Sequence, residues 1–298
     1  MRQFIYKALA ITLLVLLIDW AVGTVSGYVC NNLDDKISQI GTISQSLLKK
    51  EGDVLILGAS CAKYHYNTKI LADSLQLEVQ NTGIGGMHAA YTDLVLQAYL
   101  ERCKPTCAVI DFSGQLDAGL GRMPRTIPFY GVSKPVTQYY DTAADWQQRL
   151  KLLSGLYRYN ETLDLLLRHQ LNEPNNTNGY AVMTGTMGHV DTVAIAKFVA
   201  DSAQLRHLDH VVKLCGEQNI MLVFVLSPRK YHDTLAEQWL TNYCAQNGLH
   251  LINELHEACY YERDDLFRDD SHLNGTGADI FSKRVASQLK ELLATNKQ

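Results

Sequence analysis

Apolar residues fall along this chain in three rhythms, and each predicts a different element. Phe4 to Val25 is almost unbroken apolar sequence, interrupted by Lys7 and Asp19. A helix needs about 20 such residues to cross the hydrocarbon core of a bilayer, so the stretch predicts a membrane anchor over residues 1–28. Asn31 to Lys50 is polar, with apolar residues at Ile37, Ile40, Ile43, Leu47 and Leu48. That helical spacing predicts a stalk helix within residues 29–52. From Asp53 onward, apolar runs of strand length alternate with amphipathic segments of helix length: Val54–Leu57, Leu77–Val79, Ala108–Phe112, Ile220–Leu226 and Leu249–Ile252. Strands interleaved with helices predict an α/β fold with a mainly parallel sheet over residues 53–298. The uninterrupted run Ile220–Leu226 suits a strand covered on both faces.

The alternation breaks between Asp117 and about residue 190. That segment holds Pro124, Pro128, Pro135 and Pro174, a set of aromatics from Phe129 to Tyr159, and the turn-rich stretch 172–179. It reads as an insertion beside the site, and the helical character of Leu150–Leu171 makes it an ordered one. Its aromatics could build a small core or a sugar-stacking wall.

A chain of 298 residues can bury a sizeable core, and one domain plus an anchor accounts for the pattern. The formal net charge of −4, with no dense Lys/Arg run, gives no electrostatic footprint for nucleic acid. Charge does orient the apolar N-terminus. Arg2 and Lys7 precede the span and Asp34-Asp35 follow it, so the N-terminus is expected in the cytoplasm and the rest outside, as a single-pass protein of the cell membrane with a periplasmic domain. Lys7 can snorkel to the near interface, and Asp19 can reach the far headgroups. A cleaved signal peptide is the competing reading, with Val25-Ser26-Gly27 as the cleavage region. Seven scattered cysteines make no evident disulfide framework, although Cys103 and Cys107 are close enough in sequence to pair.

Candidate chemistry lies in three short segments. Gly58-Ala59-Ser60 closes the first strand, where α/β folds gather ligands. Asn81-Thr82-Gly83-Ile84-Gly85-Gly86 follows the second strand, and its glycines can bring a bare N–H up to a substrate oxygen. Asp269-Asp270-Ser271-His272 precedes an amphipathic stretch with a stripe at Phe281, Val285, Leu289, Leu292 and Leu293. A serine hydroxyl needs a base to become a nucleophile, and an imidazole serves best when a carboxylate fixes its tautomer. Ser60, His272 and Asp269 can fill those roles. His65, His88 and His189 compete for the base, His65 more as a structural or substrate-facing ring, and Cys61 competes for the nucleophile. Asp264, Asp265, Asp269, Asp270 and His272 form an acidic cluster without a regular ligand spacing, so no metal is expected, and no cofactor.

The order strand-Gly-x-Ser, then Asn-x-Gly-x-x-Gly, then Asp-x-x-His before the last helix resembles the SGNH (GDSL) hydrolase superfamily from about Asp53 to the C-terminus. The resemblance implies a three-layer, flavodoxin-like fold with Ser60 as nucleophile, Asp269 and His272 completing the triad, and an oxyanion hole at Ser60, Gly86 and a third-block asparagine. Two departures stand out. Gly-Asp-Ser-Leu is here Gly58-Ala59-Ser60-Cys61, and the third block, Val109 to Asp117, has no Gly-x-Asn-Asp; Gln115 stands nearest to the missing asparagine. Anchored relatives with this layout, including the Leu156-Tyr157-Arg158-Tyr159-Asn160 segment, look similar to bacterial envelope proteins associated with O-acylation of glycans. The resemblance therefore implies an esterase or O-acyltransferase acting on an acylated glycan or other small ester, with envelope polysaccharide machinery as a candidate partner. The alternative is a catalytically weak glycan-binding or assembly subunit that keeps the fold.

Overall fold

A computed structural model describes residues 1–34, 38–167, 176–189, 191, 193–261 and 263–295. Asp35, Ile37, the turn-rich residues 172–175 and the end of the helical stretch past residue 167 lie outside the described residues. The chain opens with helices α1 (Arg2–Asn32) and α2 (Gln39–Leu48), then β1 (Val54–Leu57), α3 (Ser60–His65), α4 (Thr68–Leu75), β2 (Val79–Asn81), α5 (Ala89–Leu100) and β3 (Cys107–Asp111). A 3-10 helix at Met123–Phe129 leads into α6 (Lys134–Ala143), α7 (Trp146–Leu152), α8 (Gly155–Arg158) and α9 (Asn160–Leu167). Short strands β4 (Asn176–Thr177), β5 (Tyr180–Ala181) and β6 (Val193–Ile195) precede α10 (Ser202–Glu217) and β7 (Met221–Leu226). The last part is β8 (Tyr231–Asp233), α11 (Thr234–Asn247), β9 (His250–Asn253), α12 (Ala258–Tyr261) and α13 (Gly275–Thr295).

The central sheet has the order β2-β1-β3-β7-β9, and every neighbouring pair is parallel. Its five strands are those expected from the apolar runs, with β2 shifted two residues toward the C-terminus. Side chains alternate across the pleat, so the sheet feeds two cores. Leu55, Leu57, Ala108, Ile110, Leu222 and Phe224 face the side covered by α2, α5, α10 and α11. Val54, Ile56, Val109, Val223 and Val225 face the side covered by α4 and α13, and on α13 Phe281, Val285 and Leu289 are buried as the helical stripe predicts. This is the mainly parallel three-layer α/β fold expected from the sequence.

Two expectations change, and one open pairing is decided. Residues 29–52 do not form a free stalk: α1 continues to Asn32, and Ile40, Ile43 and Leu47 of α2 are buried in the main core. Its apolar spacing was a docking face for the domain itself. Cys103 and Cys107 are both free, Cys107 being a buried core residue of β3. Asp19 does not turn outward to headgroups; its carboxylate accepts hydrogen bonds from Ser154 Oγ at 2.6 Å and from the amides of Gly155 and Leu156 at 3.0 Å. Among the described residues one helix, α1, is long and apolar enough to cross a membrane.

Candidate active site

The nucleophile turn is built by crowding. Gly58 leaves β1 with φ +143°, and a Cβ there would meet Ala62 Cβ at 2.8 Å and the Asp111 carbonyl at 3.0 Å, so only glycine fits. The chain then turns straight into α3 with Ser60 as its first residue, at the carboxyl end of the sheet. Ser60 thereby carries one of the helix-opening N–H groups that have no intrahelical acceptor.

On the other side, Asp269 folds its own loop. Its Oδ1 accepts from the amides of Ser271 at 3.0 Å and His272 at 2.9 Å, which brings the His272 ring back over the carboxylate. His272 Nδ1 lies 2.9 and 3.1 Å from the two Asp269 oxygens, and its Nε2 lies 2.8 Å from Ser60 Oγ. A carboxylate can only accept, so the imidazole proton sits on Nδ1 and Nε2 is left to accept from the serine hydroxyl. Ser60 thus forms one continuous hydrogen-bonded chain with His272 and Asp269, which lie more than 200 residues further along the sequence. Tyr64 meets the His272 ring edge-on at 5.5 Å.

The glycine block after β2 divides into two tasks. Asn81 Nδ2 donates to the Ala62 carbonyl at 2.7 Å, and a Cβ on Gly83 would come within 2.5 Å of Lys63 N, so Asn81 to Gly83 clamps α3 from behind. Gly85 and Gly86 carry the chain past the nucleophile: a Cβ on Gly85 would lie 3.6 Å from Ser60 Cβ. Gly86 sits at φ +76°, its carbonyl accepts from Arg122 N at 2.9 Å, and its own amide has no backbone acceptor among the described residues. Gln115 is fully buried; its Oε1 accepts from Thr92 Oγ1 at 2.7 Å, while Nε2 has no protein partner among the described residues.

Ser60, Gly86 and Gln115 line one cavity of about 510 Å³, walled by Phe112 and Phe198 and rimmed by Arg229. The insertion's aromatics do not supply these rings, because Phe129, Tyr140 and Tyr159 are buried in the core. The remaining candidates are committed elsewhere. Burial pushes the Cys61 thiol up to about 12, which leaves no thiolate at neutral pH. His65 is fully buried and its Nε2 accepts from the Leu273 amide at 3.0 Å; burial, with His272 nearby, holds its pKa well below the usual imidazole value, so it is a neutral structural ring rather than a substrate-facing one. His88 Nδ1 pairs with the Gly114 carbonyl, and the exposed His189 with Asp264. The acidic cluster is dispersed into pairs: Asp264 with Lys230, Asp265 with Arg263, Asp269 with His272.

Two residues of the site went unnoticed in the sequence. Asp111 is fully buried beneath the Gly58 turn and accepts from Tyr66 Oη, Ser227 Oγ and the Ser113 amide; burial raises its carboxyl above the ordinary carboxylate value. Its signal was a carboxylate closing an otherwise apolar strand run. Arg229 follows β7 and reaches Ser271 Oγ at 3.3 Å; its position just beyond a strand's carboxyl end was the available clue.

No family model and no curated protein matches the chain. Among solved structures it is similar to the psychrotrophic esterase EstA from Pseudoalteromonas sp., at 16% identity over 81% of this chain and 98% of that one, with a TM-score of 0.42. It is also similar to the lipase/acylhydrolase from Enterococcus faecalis, at 11% identity over 80% of this chain and 95% of that one, with a TM-score of 0.40.

Proposed function

We propose that this chain is an SGNH-type serine hydrolase or O-acyltransferase, anchored in the cell membrane by α1, that acts on acyl esters of an envelope or extracellular glycan. The observation that carries the reading is the 2.8 Å contact of His272 Nε2 with Ser60 Oγ, with Asp269 on the opposite ring nitrogen. Ser60 Oγ attacks the ester carbonyl while His272 takes its proton, and Asp269 steadies the imidazolium that forms. The oxyanion develops against the Ser60 and Gly86 amides, with Gln115 Nε2 as the third donor in place of the asparagine. His272 then protonates the departing alkoxide, leaving an acyl-serine. Water as the next acceptor makes the protein an esterase, and a sugar hydroxyl makes it a transferase.

A fluorophosphonate probe tests the reading, because it labels only an activated serine. Labelling of the wild type, lost in Ser60→Ala and in His272→Ala, is expected; an unlabelled wild type that still binds acylated glycan would replace the enzyme by the binding-subunit reading. The acceptor is decided by supplying an acyl donor with and without a glycan and following acyl-glycan formation against free acid. Placement outside the cytoplasm is tested separately, by a reporter fused after Gln298 that works only in the extracytoplasmic space. A reporter active only in the cytoplasm would reverse the topology.

A further inference from the structure

Residues 2–18 of α1 are exposed without exception, and contact with the rest of the chain begins at Asp19. Those 17 residues measure about 25 Å along the helix, roughly 5 Å less than the hydrocarbon core of a bilayer. If α1 spans, its turn at Asp19–Gly23 completes the span, and whatever touches that turn lies at the outer edge of the apolar layer. What touches it is the start of α8. Asp19 accepts from Ser154 Oγ and from the Gly155 and Leu156 amides, satisfying the opening donors of that helix. The two backbones are in direct contact there: a Cβ on Gly23 would meet Gly155 Cα at 3.0 Å, and one on Gly155 would meet the Asp19 carbonyl at 2.6 Å. Close approach through small residues is how helices pack in membranes, and a carboxylate at this depth needs such partners.

The segment pinned at that level presents an apolar face that the described residues leave uncovered. Trp146, Leu150 and Leu153 recur at helical spacing along α7 and are 69%, 59% and 71% exposed, while Leu152 on the opposite side is buried in the core. Leu156 continues the face onto α8, and Lys151 stands exposed beside it. A short amphipathic helix with a tryptophan at its apolar end, basic residues on its flank and an attached span is the pattern of an element lying in a membrane interface.

We propose that α7 and the start of α8 lie in the outer interface of the bilayer that α1 crosses, with Trp146, Leu150, Leu153 and Leu156 among the acyl chains of the lipid. This rests on the reading of α1 as an uncleaved anchor. The insertion then fixes the domain's orientation as well as its location. The insertion's 3-10 helix carries Arg125, paired with Glu161 of α9 at 2.9 Å, and adjoins Arg122, whose amide holds Gly86 of the cavity. The cavity wall and the lipid-facing helices are therefore one packed unit.

The test uses the full chain reconstituted in phosphatidylcholine vesicles, with acyl chains either unbrominated or brominated near the headgroup end. Bromine quenches only tryptophans within the lipid, and the chain has three, of which Trp239 is stacked on Tyr243 inside the domain. The Trp20→Phe variant should still lose emission on bromination, and adding Trp146→Phe should abolish that loss. Retained fluorophosphonate labelling of Ser60 reports that each variant folds. Emission of Trp20→Phe unaffected by bromine overturns the proposal, while an accompanying loss in the wild type shows that the anchor itself stands. Quenching in neither protein overturns both. Trp146 protected from aqueous iodide yet untouched by bromine would mean that protein, a second copy or another chain, covers the face, and this also overturns the lipid assignment.

Discussion

Among the histidine–carboxylate pairs of the described residues, two part-buried ones differ in what lies beyond the ring. In one, Asp269 receives Nδ1 of His272 and the ring's other nitrogen meets Ser60 at the rim of a cavity. In the other, Asp93 of α5 receives Nδ1 of both His207 and His210 of α10, each at 2.7 Å, with Gln97 as a further donor. Asp93 is the more completely buried carboxylate of the two, with a side chain 4% exposed against 44% for Asp269. The chemistry of the pairs is the same; their outcome is not. The Asp93 cluster ties α5 to α10 across the outer helical layer, and among the described residues no serine hydroxyl hydrogen-bonds the second ring nitrogen of His207 or His210. A carboxylate-oriented imidazole is thus a common packing device, and it becomes a candidate base only where a nucleophile is delivered to its second nitrogen.

Mutation should separate the two sites by orders of magnitude. Ser60→Ala is expected to cost about 10⁴-fold or more in turnover of a small ester, and Asp269→Asn, which permits the wrong tautomer, about 10³- to 10⁴-fold. Steady-state kinetics on the purified protein checks both. If Ser60→Ala keeps wild-type turnover, the contrast with Asp93 disappears and the site is structural as well.

Gln115→Ala comes next, because it removes a single donor from a hole that keeps two backbone amides. Turnover should fall about 10- to 10³-fold with KM little changed, the signature of an interaction made mainly in the transition state. An unaltered kcat would mean that the Gly86 and Ser60 amides suffice and that Gln115 only braces Thr92. Asp93→Asn should do the reverse of all these. It weakens charge-assisted bonds to two imidazoles, so a stability loss of about 1–3 kcal/mol is expected in thermal unfolding, with turnover within about twofold of wild type.

The same contrast explains what could be read in advance. β1, β3 and β7 were legible as compact apolar runs, while β2 (Val79–Asn81) and β9 (His250–Asn253) only overlap the expected runs; the order of Ser60, Gly86 and Asp269-x-x-His272 was legible because each motif sits where a strand or helix boundary is marked by glycine or polar residues. The Asp93 cluster was not, since its pairing depends on how two helices pack, which no local spacing encodes. Asp111 was hidden because its partners, Tyr66 Oη and Ser227 Oγ, lie 45 and 116 positions away in sequence. The helix at 39–48 misled for a related reason: apolar spacing states that a face will be buried, and leaves open whether a partner helix or the domain's own sheet buries it. Asp19 was read against lipid alone, because the residues that satisfy it, Ser154 to Leu156, lie 135 to 137 positions downstream.

His65 sharpens the comparison from the opposite side, as a fully buried imidazole whose ring has no carboxylate hydrogen-bond partner among the described residues. Its Nε2 accepts the Leu273 amide, so the folded state holds the ring neutral, with its pKa depressed mainly by burial. An unfolded histidine titrates near 6.5, and a ring whose folded pKa lies below that value binds its proton more readily when unfolded. Its contribution to stability is complete above about pH 6.5 and is lost as pH falls from there toward the depressed folded value, with a slope of at most about 1.4 kcal/mol per pH unit. His65→Gln can still offer an oxygen to the Leu273 amide but cannot titrate. Chemical denaturation at pH 7.5 and at pH 5.5 should therefore show a smaller loss of stability on acidification in His65→Gln than in the wild type. Equal losses in the two proteins would mean that His65 is not held neutral, and that the ring 6.1 Å from His272 is another imidazole able to carry charge beside the candidate base.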